Sequence, residues 1–445
     1  MYDYLIYNQL KKKARTNRAF HMPGHKGRGD FLKKFPVADM DVTELSWSDN
    51  LACPEGVIAG AQRDIAEILG AKRSYILTDG SSSGVMSMIF AASKRGNKII
   101  VPRNSHQSVW NACKILGLEP VIVQGATKSG IIQPPEPDTI ARLIVNDVNI
   151  AGMIVASPDY YGNIAPLDKY KEILRANKRL LMVDGAHGAH LAFSSGRTDY
   201  AGTYADIWVD GAHKTLATLT QGAILNLNNE SIISDVEEGL NIFRTTSPSY
   251  PVMASVEYGV KLLANDQSLV EKAREAAELI KGDSSIILYN SADWTKVAVD
   301  CEPFNISADI AAEELEKRGV YCEFSDGRYL LFYLSPAVTA GDIKLLKKAL
   351  KSVLSNKNLA GSYRPRCVII PAARTYSFQY ALKKPSEWVP LEAAVGRMCA
   401  QSAGFTPPCI PVCVAGEMIT DAAVRSLKSG KTFGLSNGKI KVVKR

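Results

Sequence analysis

The first group that suggests chemistry is a lysine between two apolar runs near the middle of the chain. The segment WVDGAHKTLATLTQGAIL, residues 208–225, predicts a strand, a short polar turn and a second strand. The turn carries Lys214 directly after His213. An ammonium group next to buried segments is costly unless it is paired, neutral or covalently modified. Lys214 therefore either extends into solvent as a loop residue or has a partner elsewhere in the sequence.

The second group is a carboxylate at the end of an apolar run. The segment LMVDGAHGAH, residues 181–190, predicts a strand that reaches Asp184, with His187 and His190 close behind it. Such an aspartate could be a metal ligand, a base or the partner of a heterocyclic N–H group. The two histidines lie three residues apart in a glycine-broken segment and do not form the H-E-x-x-H pattern of a helix-borne metal site. We expect no metal here.

The third group is a row of hydroxyls where a predicted strand passes into a predicted helix. In TDGSSSGVM, residues 78–86, Gly80 is followed by three serines, Ser81, Ser82 and Ser83. Backbone N–H groups at a helix N-terminus bind anions, and small side chains allow a phosphate to approach them. The pattern is neither the G-x-x-x-x-G-K-[ST] loop nor G-x-G-x-x-G. A helix cap explains one serine, whereas three hydroxyls between two glycines favour a phosphate.

Together the three groups match the needs of one cofactor, pyridoxal phosphate. It requires a cradle for its phosphate, a carboxylate that keeps its ring nitrogen protonated and a lysine that forms a Schiff base. The serines come first, Asp184 follows about a hundred residues later, and Lys214 comes about 30 residues after that. A Schiff base would explain why a lysine stands between two buried segments.

The elements that must position these groups alternate in type. Between residues 74 and 226, short apolar runs alternate with amphipathic stretches, which predicts βαβ units and a parallel sheet in an α/β fold. The predicted strands end near residues 79, 103, 157 and 184, and open α/β sheets bind their ligands at such ends. A long amphipathic segment begins at residue 255. We predict four parts: an N-terminal arm (1–50), a large cofactor-binding domain (51–255), a small α+β domain (256–370) and a C-terminal module (371–445).

Composition narrows the class of protein. Hydrophobic residues make up 46% and charged residues 22% of the 445 residues, as is usual for a soluble globular chain. The sequence has no long apolar run and no secretory pattern at its start, so we expect no membrane segment. The eight cysteines form no C-x-x-C pair and suggest reduced thiols in the cytoplasm. The net charge of +8 is spread over helix surfaces without interleaved aromatic residues, so we expect no nucleic-acid partner.

A resemblance to a known family runs through nearly the whole chain. Ten segments resemble, in order, the signatures of the ornithine/lysine/arginine decarboxylase family. They are HMPGHKGRGDF (21–31), DVTEL (41–45), PEGVI (54–58), RNSHQSVWNA (103–112), SPDYYGNIAPL (157–167), DGAHGAH (184–190), HKTLATLTQGA (213–223), TTSPSYPVMAS (245–255), EAAVGRM (392–398) and PPCIPVCVAGEMI (407–419). The resemblance implies the aspartate-aminotransferase-like fold of pyridoxal-phosphate enzymes, in the family's shorter form without an N-terminal wing domain. It also implies a homodimer or a larger even assembly.

The resemblance also implies roles for individual residues. Lys214 would form the Schiff base, Asp184 would pair with the ring nitrogen, and His106 would stack on the ring. His187 would lie near a cofactor oxygen or the substrate carboxylate. The phosphate would be bound by Ser81, Ser82, Ser83 and His213.

The expected reaction is decarboxylation of a basic amino acid, arginine, lysine or ornithine, in polyamine or diamine formation. Glu417 is a candidate partner for the distal cation of the substrate. Three positions depart from the family pattern: Ala212 replaces a hydroxyl residue, Cys409 replaces a glycine, and Ala415 stands where a proline is usual. The alternatives are an aminotransferase or a β-eliminating lyase on the same fold, and a non-catalytic relative that keeps the cofactor.

Overall fold

The computed structural model describes residues 1–14, 18–363 and 376–445. The chain forms two compact units. The first unit contains residues 1–94, 180–272 and 335–337, and the second contains 95–179, 273–334 and 338–445. The four predicted domains stay a prediction, and the boundary at residue 370 lies outside the described residues.

The helices are given in chain order. They are α1 (Leu5–Ala14), α2 (Gly29–Lys34), α3 (Val57–Leu69), α4 (Ser81–Ser93), α5 (Gln107–Leu116), α6 (Pro137–Asn146), α7 (Leu167–Ala176), α8 (Ala212–Thr215), α9 (Ile233–Phe243), α10 (Tyr250–Asn265), α11 (Ser268–Lys281), α12 (Ala308–Glu316), α13 (Ala340–Leu354), α14 (Phe378–Lys383) and α15 (Asp421–Leu427).

The strands follow in the same way. They are β1 (Arg73–Leu77), β2 (Lys98–Pro102), β3 (Glu119–Val123), β4 (Thr127–Lys128), β5 (Ile131–Ile132), β6 (Ile150–Ala156), β7 (Leu180–Gly185), β8 (Ile207–Asp210), β9 (Ala223–Leu227), β10 (Lys296–Asp300), β11 (Phe324–Ser325), β12 (Tyr329–Tyr333), β13 (Ser386–Pro390), β14 (Ala403–Phe405), β15 (Ile410–Cys413), β16 (Thr432–Phe433), β17 (Leu435–Ser436) and β18 (Lys439–Val443).

The first unit places four strands side by side in the order β1, β9, β8 and β7. β7 and β8 are parallel, whereas β9 is antiparallel to both of its neighbours. Every residue of β7, β8 and β9 is buried, which explains why these segments read as continuous apolar runs. Because β9 reverses direction, β1 runs the same way as β8, and the carboxyl ends of β1, β7 and β8 share one edge.

The second unit holds three parallel strands in the order β6, β2 and β3. It also contains the antiparallel sheet β10–β12–β11, on which α12 packs. Two small sheets, β13–β18–β17 and β15–β14–β16, lie in the C-terminal part around a shared apolar cluster that includes Cys399, Val412 and Ile440.

The predicted fold class is confirmed: the chain is a mixed α/β protein with a large, mostly parallel sheet and further small sheets. In the part of the chain predicted as a small α+β domain, β11 and β12 pair in antiparallel fashion. The long amphipathic segment consists of two helices, α10 and α11, because Asp266 breaks the first and its carboxylate accepts a hydrogen bond from the Ser268 amide. Within the described residues, no helix combines the length and apolar character that a membrane span requires.

Candidate active site

Lys214 lies on the four-residue helix α8, directly beyond the carboxyl end of β8. Gly211 connects the two elements, and a Cβ atom there would stand only 2.3 Å from the carbonyl oxygen of Ala186. A residue with a side chain would therefore force the exit of β8 away from the loop after β7. This close approach of the two loops brings Lys214 to the region that follows Asp184.

The side chain of Lys214 contacts a histidine. Its Nζ lies 3.1 Å from Nε2 of His187, whose side chain is buried. A hydrogen bond between two nitrogens needs one donor and one acceptor, and a lysine ammonium can only donate. The Lys214–His187 pair therefore carries at most one positive charge. Of the two sequence-based interpretations of Lys214, the half-buried, partnered lysine is the one that the structure contains.

Asp184 lies one residue before the end of β7 and is buried. Its Oδ1 accepts a hydrogen bond from the amide of Ala186 at 3.2 Å. In the strand register it pairs with Val209 on β8, so it lies at the same sheet edge from which the chain leads to Lys214. The structure thus places the predicted carboxylate and the predicted lysine at neighbouring strand ends of one unit.

The predicted phosphate cradle lies at this edge as well. Ile224 of β9 pairs with both Ile76 and Asp210, so the carboxyl ends of β1 and β8 are level with each other. The chain turns from β1 into α4 at Gly80, whose φ of 82° is in the left-handed region. The N-terminus of α4 therefore emerges beside the end of β8.

The three serines of the cradle differ in their environment. Ser81 and Ser82 are half-buried, and no described residue hydrogen bonds to their hydroxyls. Ser83 is buried, and its hydroxyl donates to Asp79 Oδ1 at 2.8 Å. Within the described residues, the buried Thr78 Oγ1 also lacks a partner. The hydroxyls of Ser81 and Ser82 can thus donate hydrogen bonds to an anion, whereas the Ser83 hydroxyl already donates its proton to Asp79.

His213 and His106 occupy defined positions in their own units. His213 is on α8, and its Nδ1 donates to the carbonyl of Gly222 at 2.9 Å, which sets the ring's tautomer. His106 is the N-cap of α5 in the second unit, and its Nδ1 accepts a hydrogen bond from the Ser108 amide at 3.2 Å. The roles assigned to both histidines toward the cofactor stay predictions.

Glu417 is in the second unit, where its carboxylate is already paired. It forms a buried ion pair with Arg103, whose Nη2 also donates to the carbonyl of Val412 at 2.6 Å. The other carboxylate oxygen of Glu417 accepts a hydrogen bond from the amide of Val414 at 2.9 Å. Its assignment to the substrate cation stays a prediction, but a cation there would compete with Arg103.

The sequence analysis did not single out Asp210, the last residue of β8. Its side chain is fully buried, and its Oδ2 accepts hydrogen bonds from Tyr200, Trp208 and Asn226 at 2.8, 3.0 and 2.9 Å. Burial raises the pKa of Asp210 to about 7. The available signal was an aspartate at a strand end four residues before Lys214, the same signal that identified Asp184.

These residues fit pyridoxal phosphate. The half-buried amine of Lys214, the buried carboxylate of Asp184 and the hydroxyls of Ser81 and Ser82 are the donor set that the cofactor requires, and all lie at one sheet edge of the first unit. Within the described ranges, no cluster of three or more His, Cys, Asp or Glu residues could hold a metal ion.

The chain is similar to known decarboxylases. Residues 5–286 match the family described as "Orn/Lys/Arg decarboxylase, major domain". An uncharacterized protein of Bacillus subtilis (strain 168) is 29% identical, over 98% of this chain and 96% of its own length. The arginine decarboxylase of the same organism is 28% identical, over 97% and 94%. The crystal structure of the Francisella novicida lysine decarboxylase has a TM-score of 0.80 at 20% identity and covers 99% of this chain and 81% of that one.

Proposed function

Because the chain belongs to the Orn/Lys/Arg decarboxylase family, a family of pyridoxal-phosphate-dependent decarboxylases, we propose that it decarboxylates a basic amino acid. The products are carbon dioxide and the corresponding amine. The observation that carries the proposal is the placement of Lys214, beside His187, at the same sheet edge as Asp184 and the α4 N-terminus. Arginine is the first substrate to assay, since relatives that match nearly the whole chain are named arginine decarboxylase.

Each residue at this edge of the sheet has a separate role in the proposed reaction. The amine of Lys214 would hold the cofactor covalently, and His187 would take or return a proton at Lys214 Nζ, since their hydrogen bond allows one charge between them. The N–H groups at the start of α4 and the hydroxyls of Ser81 and Ser82 bind the phosphate.

Asp184 acts on the cofactor's ring. When bound, pyridoxal phosphate supplies an electron sink for the electron pair that the departing carboxylate leaves on Cα. The carboxylate of Asp184 would keep a proton on the ring nitrogen, and its burial in β7 would strengthen this interaction. The proposal includes a cytoplasmic enzyme of polyamine or diamine formation that acts as a homodimer or larger homo-oligomer.

The test is incubation of the protein and pyridoxal phosphate with arginine, lysine, ornithine and norleucine separately, followed by mass spectrometry of the products. We expect one basic amino acid to be converted with kcat/KM at least about a hundredfold above norleucine, a gap of about 2.7 kcal/mol. Lys214→Ala is the matched control and should give no product. Formation of a keto acid instead of an amine would favour an aminotransferase and contradict the proposal.

A further inference from the structure

The second unit contains a cavity whose wall holds a buried carboxylate without a cationic partner among the described residues. The carboxylate is Asp159, in the loop that follows β6, and the wall includes Ile131, Tyr160, Tyr161 and Pro411. The cavity is lined mainly by apolar and aromatic side chains. The apolar part of this lining suits the aliphatic stem of a chain that ends in a cation.

The carboxylate of Asp159 is held in place by neutral donors alone. Oδ1 accepts hydrogen bonds from the amides of Tyr161 and Asn163, both at 2.9 Å, and Oδ2 accepts one from Nδ2 of Asn163 at 2.8 Å. Within the described part of the chain, no lysine, arginine or histidine forms an ion pair with Asp159. Burial raises the pKa of Asp159 to about 6. The hydrogen bonds lower this pKa, but by less than burial raises it. A cation that entered the cavity would supply the missing charge.

The other charged residue of the cavity wall is already neutralised. Arg103 lines the same cavity, but its guanidinium is bonded to the carboxylate of Glu417 and the carbonyl of Val412. Asp159 therefore leaves an uncompensated negative charge in the wall. The rings of Tyr160 and Tyr161 add aromatic surface, which attracts cations when water is excluded.

We propose that this cavity binds the cationic end of an aliphatic chain, an ammonium or a guanidinium group, with Asp159 as its counter-ion. Such an end belongs both to a basic amino acid and to the amine formed from it, so the proposal deepens the proposed function and rests on it for the source of the ligand. Asp159, rather than Glu417, is then the acidic group that recognises the cation.

The test is calorimetric titration of the full-length protein with agmatine, cadaverine and putrescine, with 1-pentanol as the neutral control ligand. Wild type should bind at least one amine and not the alcohol. Asp159→Asn should weaken that binding about ten- to a hundredfold, because a charge-assisted contact becomes a neutral one. The asparagine oxygen can still accept the amide hydrogen bonds of Tyr161 and Asn163, and only the hydrogen bond from Nδ2 of Asn163 is lost.

Asp326→Asn is the matched control. Asp326 accepts a hydrogen bond from the hydroxyl of Tyr161 at 2.5 Å but does not line the cavity, so its loss should leave amine affinity unchanged. Equal amine affinity of wild type and Asp159→Asn would overturn the proposal, as would an equal loss in both variants.

The kinetic arm identifies the source of the cation. If the substrate supplies it, Asp159→Asn raises KM for the basic amino acid by a larger factor than KM for norleucine. If the released amine supplies it, KM is unchanged and inhibition by the amine weakens. Titration does not depend on turnover, so a protein that binds the amine through Asp159 but forms no product would retain this inference and refute the proposed function.

Discussion

Replacing the buried carboxylate of Asp210, the last residue of β8 before α8, tests how much this group contributes to the stability of the protein. Its Oδ2 accepts three hydrogen bonds, and its Oδ1 has no partner among the described residues. An asparagine can present its amide oxygen to the same donors and place its amide nitrogen where Oδ1 was. Asp210→Asn therefore removes the charge and keeps the acceptor, whereas Asp210→Ala removes both.

The magnitude follows from the shifted pKa. The pKa of Asp210 rises from 3.8 to about 7 on folding because the carboxyl group is buried, so the folded chain binds its proton more tightly than the unfolded chain. Its stabilising contribution is present at low pH and is lost as pH rises from about 4 to 7. Each pKa unit corresponds to about 1.4 kcal/mol, which gives a loss of up to about 4 kcal/mol. The free energy of unfolding of Asp210→Asn should not fall in this way as pH rises, because the asparagine does not ionise.

The alanine variant has a different cost. Of the three donors, Trp208 keeps the Tyr200 oxygen as an acceptor at 3.1 Å. The Tyr200 hydroxyl and the Asn226 amide lose their acceptor, at about 1–3 kcal/mol for each buried donor. At pH 5, where wild-type Asp210 is protonated, we expect Asp210→Ala to be about 2–6 kcal/mol less stable than wild type. The asparagine variant should remain close to wild type at that pH.

The assay is the midpoint of thermal unfolding of the cofactor-free protein between pH 4.5 and 8. The midpoint of Asp210→Asn should rise relative to wild type as pH increases, and Asp210→Ala should be lowest at pH 5. Parallel wild-type and asparagine curves across this range would refute the reasoning, because Asp210 would then carry no buried charge near neutral pH.

Two further predictions concern the other carboxylates. Asp184→Asn should keep the cofactor, measured by its absorbance, and lose at least about a hundredfold in kcat, as for other preorganised electrostatic contacts; full activity would show that the carboxylate does not act on the ring. Glu417→Gln should lower the free energy of unfolding by about 3–5 kcal/mol, because it leaves Arg103 buried without its counter-charge. If Glu417→Gln is as stable as wild type and no longer prefers basic substrates, Glu417 is instead the group that binds the cation of the substrate.

The sequence was sufficient to predict the strand ends and the groups on them. Lys214 and the start of α4 follow strands, Asp184 lies at the end of one, and the alternation of apolar runs with amphipathic stretches locates those strands. Parallel strands bring their carboxyl ends to one edge, so the clustering followed from the fold class alone.

Contacts between distant residues could not be predicted in the same way. The partner of Glu417 is Arg103, 314 residues away, and local periodicity contains no information about such a pair. The hydrogen bond between Lys214 and His187 depends on the close passage of two loops at Gly211. The absence of an ion pair at Asp159 became visible only when every described neighbour was in place.

The central claim is that Lys214 holds the cofactor. Borohydride reduction of the protein loaded with pyridoxal phosphate, followed by peptide mapping, measures this most directly. We predict a pyridoxyl group on Lys214 in wild type and none at that peptide in Lys214→Ala, which should also lose turnover. A pyridoxyl group on Lys26 or any other lysine of the wild-type protein would contradict the assignment of the site.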